Sequence, residues 1–162
     1  MTSTDGVDNG FYVQSQGGGA WSGIYIYRKD GFGSYSAQVG DVLTIKGGIT
    51  EFYDATQLVV SKVEDVTDLG QTAELSVDSM DPSAVSDWEQ WESCLVSIGA
   101  TTATSDVDHY GEIETDKGLN IDNLFYNFPS ENGQSWSDVS GVIGYSFNAF
   151  KIWPRFEADM LD

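Results

Sequence analysis

Residues 40–50 run Gly40-Asp41-Val42-Leu43-Thr44-Ile45-Lys46-Gly47-Gly48-Ile49-Thr50. Gly40-Asp41 is a turn signal, and Leu43, Ile45 and Ile49 after it are the expected inward positions of an extended segment, whose side chains alternate at period two. Gly47-Gly48 falls inside the segment, where glycine tolerates the backbone angles of a bend or bulge. The stretch predicts one long strand over residues 42–50, bent at its glycine pair. A strand of that kind turns the corner of a small barrel.

The flanks carry the same signature. Phe11-Tyr12-Val13-Gln14 is strand-like, the turn-rich Gly17-Gly18-Gly19 follows, and Ile24-Tyr25-Ile26-Tyr27 alternates aliphatic with aromatic residues. Ile24 and Ile26 are expected to face the core, which puts Tyr25 and Tyr27 together on the other face. Glu51-Phe52-Tyr53-Asp54 reads as a connection and Gln57-Leu58-Val59-Val60-Ser61 as a further strand. In the second half, strands are expected over 94–98, 112–114, 121 with 124–126, and 139–152, the last again bent by Gly141 and Gly144. Asp81-Pro82 resembles a helix cap followed by proline at the first helical position, and Val85, Trp88 and Trp91 recur at helical spacing. One short helix over 82–90 is therefore expected, plugging a barrel end with Trp88.

Composition agrees with a β-rich fold that has a substantial core. The 162 residues include 8 Phe, 8 Tyr, 5 Trp and 18 Gly, with 40% hydrophobic residues, enough to argue against disorder. No internal repeat or low-complexity linker divides the chain, so one domain is expected over 1–162, with a flexible segment over 1–9. No apolar run approaches the roughly 20 residues of a spanning helix. Met1-Thr2-Ser3-Thr4-Asp5 has neither the basic region nor the apolar core of an export signal, so an exported protein would be represented here by its mature part with an added Met.

Seven Lys and Arg stand against 26 Asp and Glu, a formal net charge of −19. Between Val63 and Asp116 there is no cation at all. Binders of phosphate backbones draw their non-specific affinity from a basic stripe, which this chain lacks. An acid surface suited to salty or calcium-containing surroundings fits the balance better. Cys94 is the single cysteine, inside the apolar run Cys94-Leu95-Val96, and is expected to be a buried inert thiol. No intrachain disulfide and no cysteine-based metal site can be built from it.

The order of these motifs resembles the OB-fold-like modules of bacterial secreted proteins. The resemblance runs through Gly10-Phe11-Tyr12-Val13-Gln14, Ile24-Tyr25-Ile26-Tyr27, Gly40 to Ile45, Glu51-Phe52-Tyr53 and Thr56-Gln57-Leu58. It continues in Trp91-Glu92-Ser93-Cys94-Leu95-Val96, with Ser93 where the family usually has Gly, and in Gly141 to Phe147 followed by Lys151-Ile152-Trp153-Pro154-Arg155. Such modules accompany extracellular nucleases of the endonuclease/exonuclease/phosphatase type and occur in lipoproteins. The resemblance implies an extracellular or cell-surface location, a flanking catalytic domain in a longer parent chain, and nucleic acid or another extracellular polymer as ligand. Gln14, Gln57 and Arg155 occupy matched positions and read as structural polar anchors. The family's nuclease chemistry needs acidic metal ligands and several His, so it is not carried over to this chain.

Chemistry-bearing constellations are few. His109 is the only histidine and has no local nucleophile signature beside it, so no catalytic residue is assigned. Asp106-Val107-Asp108-His109-Tyr110-Gly111-Glu112 begins like a calcium loop but departs at Tyr110 and at Lys117, which excludes an EF-hand. A looser oxygen-ligand calcium site from Asp106, Asp108, Glu112 and Asp116, with Glu114 nearby, is set against an acidic solvated hairpin. For a polymer, Trp21, Tyr25, Tyr27, Phe52 and Tyr53 offer stacking rings and Arg28, Lys29 and Lys46 the nearest cations. Rings that merely cover a sheet surface are the alternative. The sequence thus predicts an all-β, OB-fold-like Greek-key barrel of five to seven strands with an extra hairpin and one short helix. Its expected role is that of a non-catalytic binding module, with a structural cell-surface domain stabilised by calcium or salt as the alternative.

Overall fold

A computed structural model describes residues 9–29 and 36–162. The expectation of a flexible segment over 1–9 falls, but for Asn9, outside the described residues. The chain is all-β, with no α-helix among the described residues. Its first half contains β1 (Gly10–Gln14), β2 (Gly23–Arg28), β3 (Asp41–Ile45), β4 (Gly48–Phe52), β5 (Ala55–Val60) and β6 (Val66–Thr72). β1, β2, β5 and β4 form one sheet in that order, with β2 and β5 parallel, while β3 and β6 pair as a separate ribbon. Phe11, Ile26, Ala37, Val60 and Val66 make the core between them.

The second half contains β7 (Asp78–Ser79), β8 (Leu95–Ser97), β9 (Thr101–Thr102), β10 (Glu112–Ile113), β11 (Asn120–Asp122), β12 (Ser135–Trp136), β13 (Asp138–Ser146), β14 (Ala149–Trp153) and β15 (Met160–Leu161). A seven-stranded sheet runs β10-β11-β14-β13-β8-β7 with β15 on β13, and β9 pairs β12. Alternation assigns its faces. Val96, Ile113, Ile121, Ile143 and Ile152 point into a core of 13 buried residues, against which Trp88 and Trp91 pack. Leu95, Val142 and Trp153 point the other way and close on Tyr12 of the first sheet.

These sheets do not close into a barrel, and the reason is visible at the stretch that predicted one. The chain does not bend through Gly47-Gly48 within a single strand; it passes from the β3–β6 ribbon to β4 in the other sheet. Lys46 N–H ends the ribbon on the Asp65 carbonyl (2.9 Å). A Cβ at Gly47 would strike the Val59 carbonyl, so the crossover needs glycine there. Residues 139–152 likewise are two strands, folded into a hairpin at Phe147-Asn148. Of residues 121–126, only the part within β11 is strand.

The expected helix over 82–90 is two 3-10 turns, Pro82–Ala84 and Glu89–Trp91. The Asp81 cap is present: its carboxylate accepts from Ser83 N–H and Ser83 Oγ, which hold its pKa low. Asp87 then accepts from Glu89 N–H, starting a second turn where a helix would have continued. Short polar side chains that bond the local backbone compete with helix propagation.

Candidate functional site

Two halves, each with its own core, meet along a joint that the sequence prepares. Gln14 at the end of β1 accepts from Leu95 N–H (2.8 Å) and donates to the Ser76 carbonyl (3.0 Å), bridging the sheets as an anchor. Gly23 lies against the Ser93–Cys94 backbone, where any Cβ would collide. Ser93 itself has φ +64°, the left-handed conformation that favours glycine. Cys94 is buried at this joint, its Sγ 3.4 Å from Ser22 Oγ. Arg155, the other expected anchor, is buried in a two-point ion pair with Asp159 (both N–O distances 2.7 Å).

Beside the joint the two sheets diverge and leave an open cleft of about 1060 Å³. One wall comes from the first half: Tyr12, Tyr25 and Tyr27 on β1 and β2, Gln57 on β5, and the β4–β5 hairpin tip. The other wall comes from β10, β11, β13 and β14, including Glu112, Asp122, Tyr145 and Trp153. Tyr12 packs on Tyr25 (ring centroids 4.8 Å) and reaches Trp153 (6.0 Å), so the aromatic floor is continuous across both sheets. The Trp153 ring lies over Gly144, leaving no room for a Cβ there.

Two hairpin tips guard the mouth. Phe52 pairs with Ala55 and Ser146 with Ala149, so each turn has two residues: Tyr53-Asp54 and Phe147-Asn148. All four have φ between 50° and 63°, as type I′ turns require, yet neither turn contains glycine. Tyr53 is 86% exposed and Phe147 90% exposed. A bulky residue in this conformation costs about 1–2 kcal/mol, and here it holds a ring out in solvent. Tyr110 stands beside Phe147 (6.5 Å) on the same rim.

The polar groups of the cleft are acids and amides. Glu92, only 8% exposed, has one hydrogen bond of ordinary geometry, from Thr56 N–H to Oε2 (3.1 Å). Burial pushes its pKa up to about 7, opposed by the Thr56 amide and reinforced by Glu89 and Glu51. Across the cleft, Lys151 is buried against Glu112, 3.8 Å from Asp122 and 5.5 Å from the Phe147 ring. Burial raises the pKa of Asp122, while the Trp153 indole and Lys151 favour its charged form. The indole N–H lies near Asp122 without completing a hydrogen bond of ordinary geometry. Among the described residues no Lys or Arg lines the cleft.

The residues singled out from the sequence divide cleanly. Tyr25, Tyr27, Phe52 and Tyr53 line the cleft. Trp21, Arg28, Lys29 and Lys46 do not; Arg28 donates to the Asn9 carbonyl, and Lys29 and Lys46 are exposed elsewhere. The four acids considered for calcium each have a partner within the protein. Asp106 accepts from Asn132 N–H and Asp116 from Thr102 N–H, while Glu112 is taken by Lys151. Asp108 accepts from the Glu112 and Tyr110 amides, which lower its pKa. Among the described residues no group of three or more His, Cys, Asp or Glu is placed to hold a metal ion. Sequence reading passed over Asp122, Trp153 and Tyr145 as site residues, and took Glu92 only as part of a strand motif.

No protein-family model matches the chain, and no curated protein or solved structure matches it with significance. Among the described residues no helix is long and apolar enough to cross a membrane.

Proposed function

We propose that the chain is a non-catalytic binding module, OB-like in ancestry, that holds an extended polymer in the aromatic cleft between its sheets. The observation that carries this reading is the cleft itself: a large groove, open at the mouth, floored by packed aromatic rings with a few polar groups among them. The resemblance of its strand motifs to modules of secreted bacterial proteins supports a polymer met outside the cell. The lining acids are each engaged by an amide or a cation, or are set on opposite walls, which suits recognition better than proton-transfer chemistry.

The test is co-sedimentation or gel retardation with anionic, neutral and cationic polymers. Replacing both Tyr25 and Tyr27 with Ala should weaken retention at least about tenfold, roughly 1.4 kcal/mol, with the circular dichroism spectrum unchanged. Retention of no polymer, or equal retention of the double variant, removes the cleft as a binding site. Shortening of any polymer during incubation would make the module an enzyme instead.

A further inference from the structure

The cleft's lining narrows the ligand further. Among the described residues a polyanion meets no cation on these walls, only Glu92, Glu112 and Asp122. A cation is not demanded either, because Lys151 compensates Glu112 and lies 3.8 Å from Asp122, and Glu92 sits buried on an amide. What the walls do offer is ring faces alternating with carboxyl and amide groups. Carboxylate oxygens accept hydrogen bonds, and the Gln57 and Asn123 amides both donate and accept. Sugar rings match this combination: their C–H faces lie on aromatic rings and their hydroxyls donate and accept at the edges.

Glu92 adds a second, independent observation. It is more than nine-tenths buried, lines the cleft, and has its Oε2 fixed by Thr56 N–H. The strained tips add a third. Tyr53 and Phe147 occupy positions where Asn or Gly would relieve the backbone, in two hairpins from different halves that face one cleft mouth. Conformational strain of this kind concentrates at ligand clamps.

Resting on the binding role proposed above, we infer that the polymer is an uncharged glycan, gripped at the mouth between Tyr53 and Phe147 and hydrogen-bonded in the cleft by Glu92. Native-gel affinity electrophoresis decides it, with soluble neutral glucans, mannans, galactans and xylans as the panel, and with chitosan and oligo(dT) as charged controls. At about 150 mM salt, where surface charges are screened beyond roughly 8 Å, at least one neutral glycan should retard the protein and oligo(dT) should not. The Tyr53→Asn/Phe147→Asn variant keeps turn geometry and should unfold no more easily, yet lose at least about tenfold in affinity. Glu92→Gln should stay within about threefold of the parent, and Glu92→Ala should not. Oligo(dT) or chitosan binding without any neutral glycan overturns the glycan assignment and leaves the polymer-binding role standing. Silence across all polymers sinks both, and glycan binding untouched by the aromatic variant overturns the clamp.

Discussion

The two halves of the molecule bury their sequences very differently. The second is organised around 13 buried residues, and β13 keeps residues 141–144 buried on both faces. Among the described residues, the first is organised around Phe11, Ile26, Ala37, Val60 and Val66, and β4 is exposed along its whole length. Beside the smaller core lies a hollow of about 460 Å³ bounded by Ile24, Leu43, Ile45 and Leu58. The difference separates two duties. The large sheet is a frame that fixes Trp153, Asp122 and Tyr145, and the small sheet lays Tyr12, Tyr25 and Tyr27 against it.

Truncation in the two cores gives the largest contrast. Ile152→Ala removes a side chain packed on all sides, and denaturant unfolding should show a loss of about 2–5 kcal/mol. Ile26→Ala, equally buried but near the hollow, should fall at the low end of that range, because the site can collapse. Amide exchange should show the same order, with β13 and β14 more protected than β4 and β5. Equal losses and equal protection would mean that the halves unfold as one unit and that the contrast has no energetic content.

A smaller effect tests the cleft wall. The pKa of Glu92 is raised in the folded state, so the folded protein favours its protonated form. Its contribution is most favourable below the ordinary carboxyl value near 4.5, is lost as pH rises through about 7, and is flat above that. Glu92→Gln, which can still accept from Thr56, should lack this loss and be more stable than the parent at pH 8 by about 1–2 kcal/mol. Parallel stability curves from pH 5 to 8 would show that burial does not raise the Glu92 pKa in the folded protein.

The smallest effect concerns the acidic surface. With a net charge of −19, added ions should stabilise the fold by screening alone. Calcium, magnesium and sodium chloride at equal ionic strength should therefore raise the melting temperature equally. An excess for calcium that disappears in Asp106→Asn would show that the loop can gather its acids after all.

Much of this architecture was legible in the sequence because its causes are local. Period-two alternation marked β2, apolar and aromatic runs marked β1 and β8, and Asp81-Pro82 marked a cap that forms as read. The errors share one cause. Gly47-Gly48, Gly141 and Gly144 announce a bend, but whether a chain bends within a sheet, crosses to another or reverses depends on which strand waits to pair with it. β6 escaped notice because Val66-Thr67-Asp68-Leu69-Gly70-Gln71-Thr72 is mostly exposed and shows no apolar alternation. Its partner β3 makes it a strand.

The sequence alone determined that this would be an acidic, glycine-punctuated β protein, and it brought Tyr25 and Tyr27 to one face, since two residues apart on a strand is a covalent fact. Only the tertiary structure decided that their face would be the wall of a cleft. Glu92, Glu112, Asp122 and Trp153 are scattered over the chain, and what brings three of them to one sheet face is register: Glu112 opposite Asp122 on β10 and β11, and the parallel pairing of β11 with β14. A shift of one residue in that pairing would turn Trp153 into the other core. Non-local hydrogen bonding sets the register, and no stretch of sequence read by itself contains it.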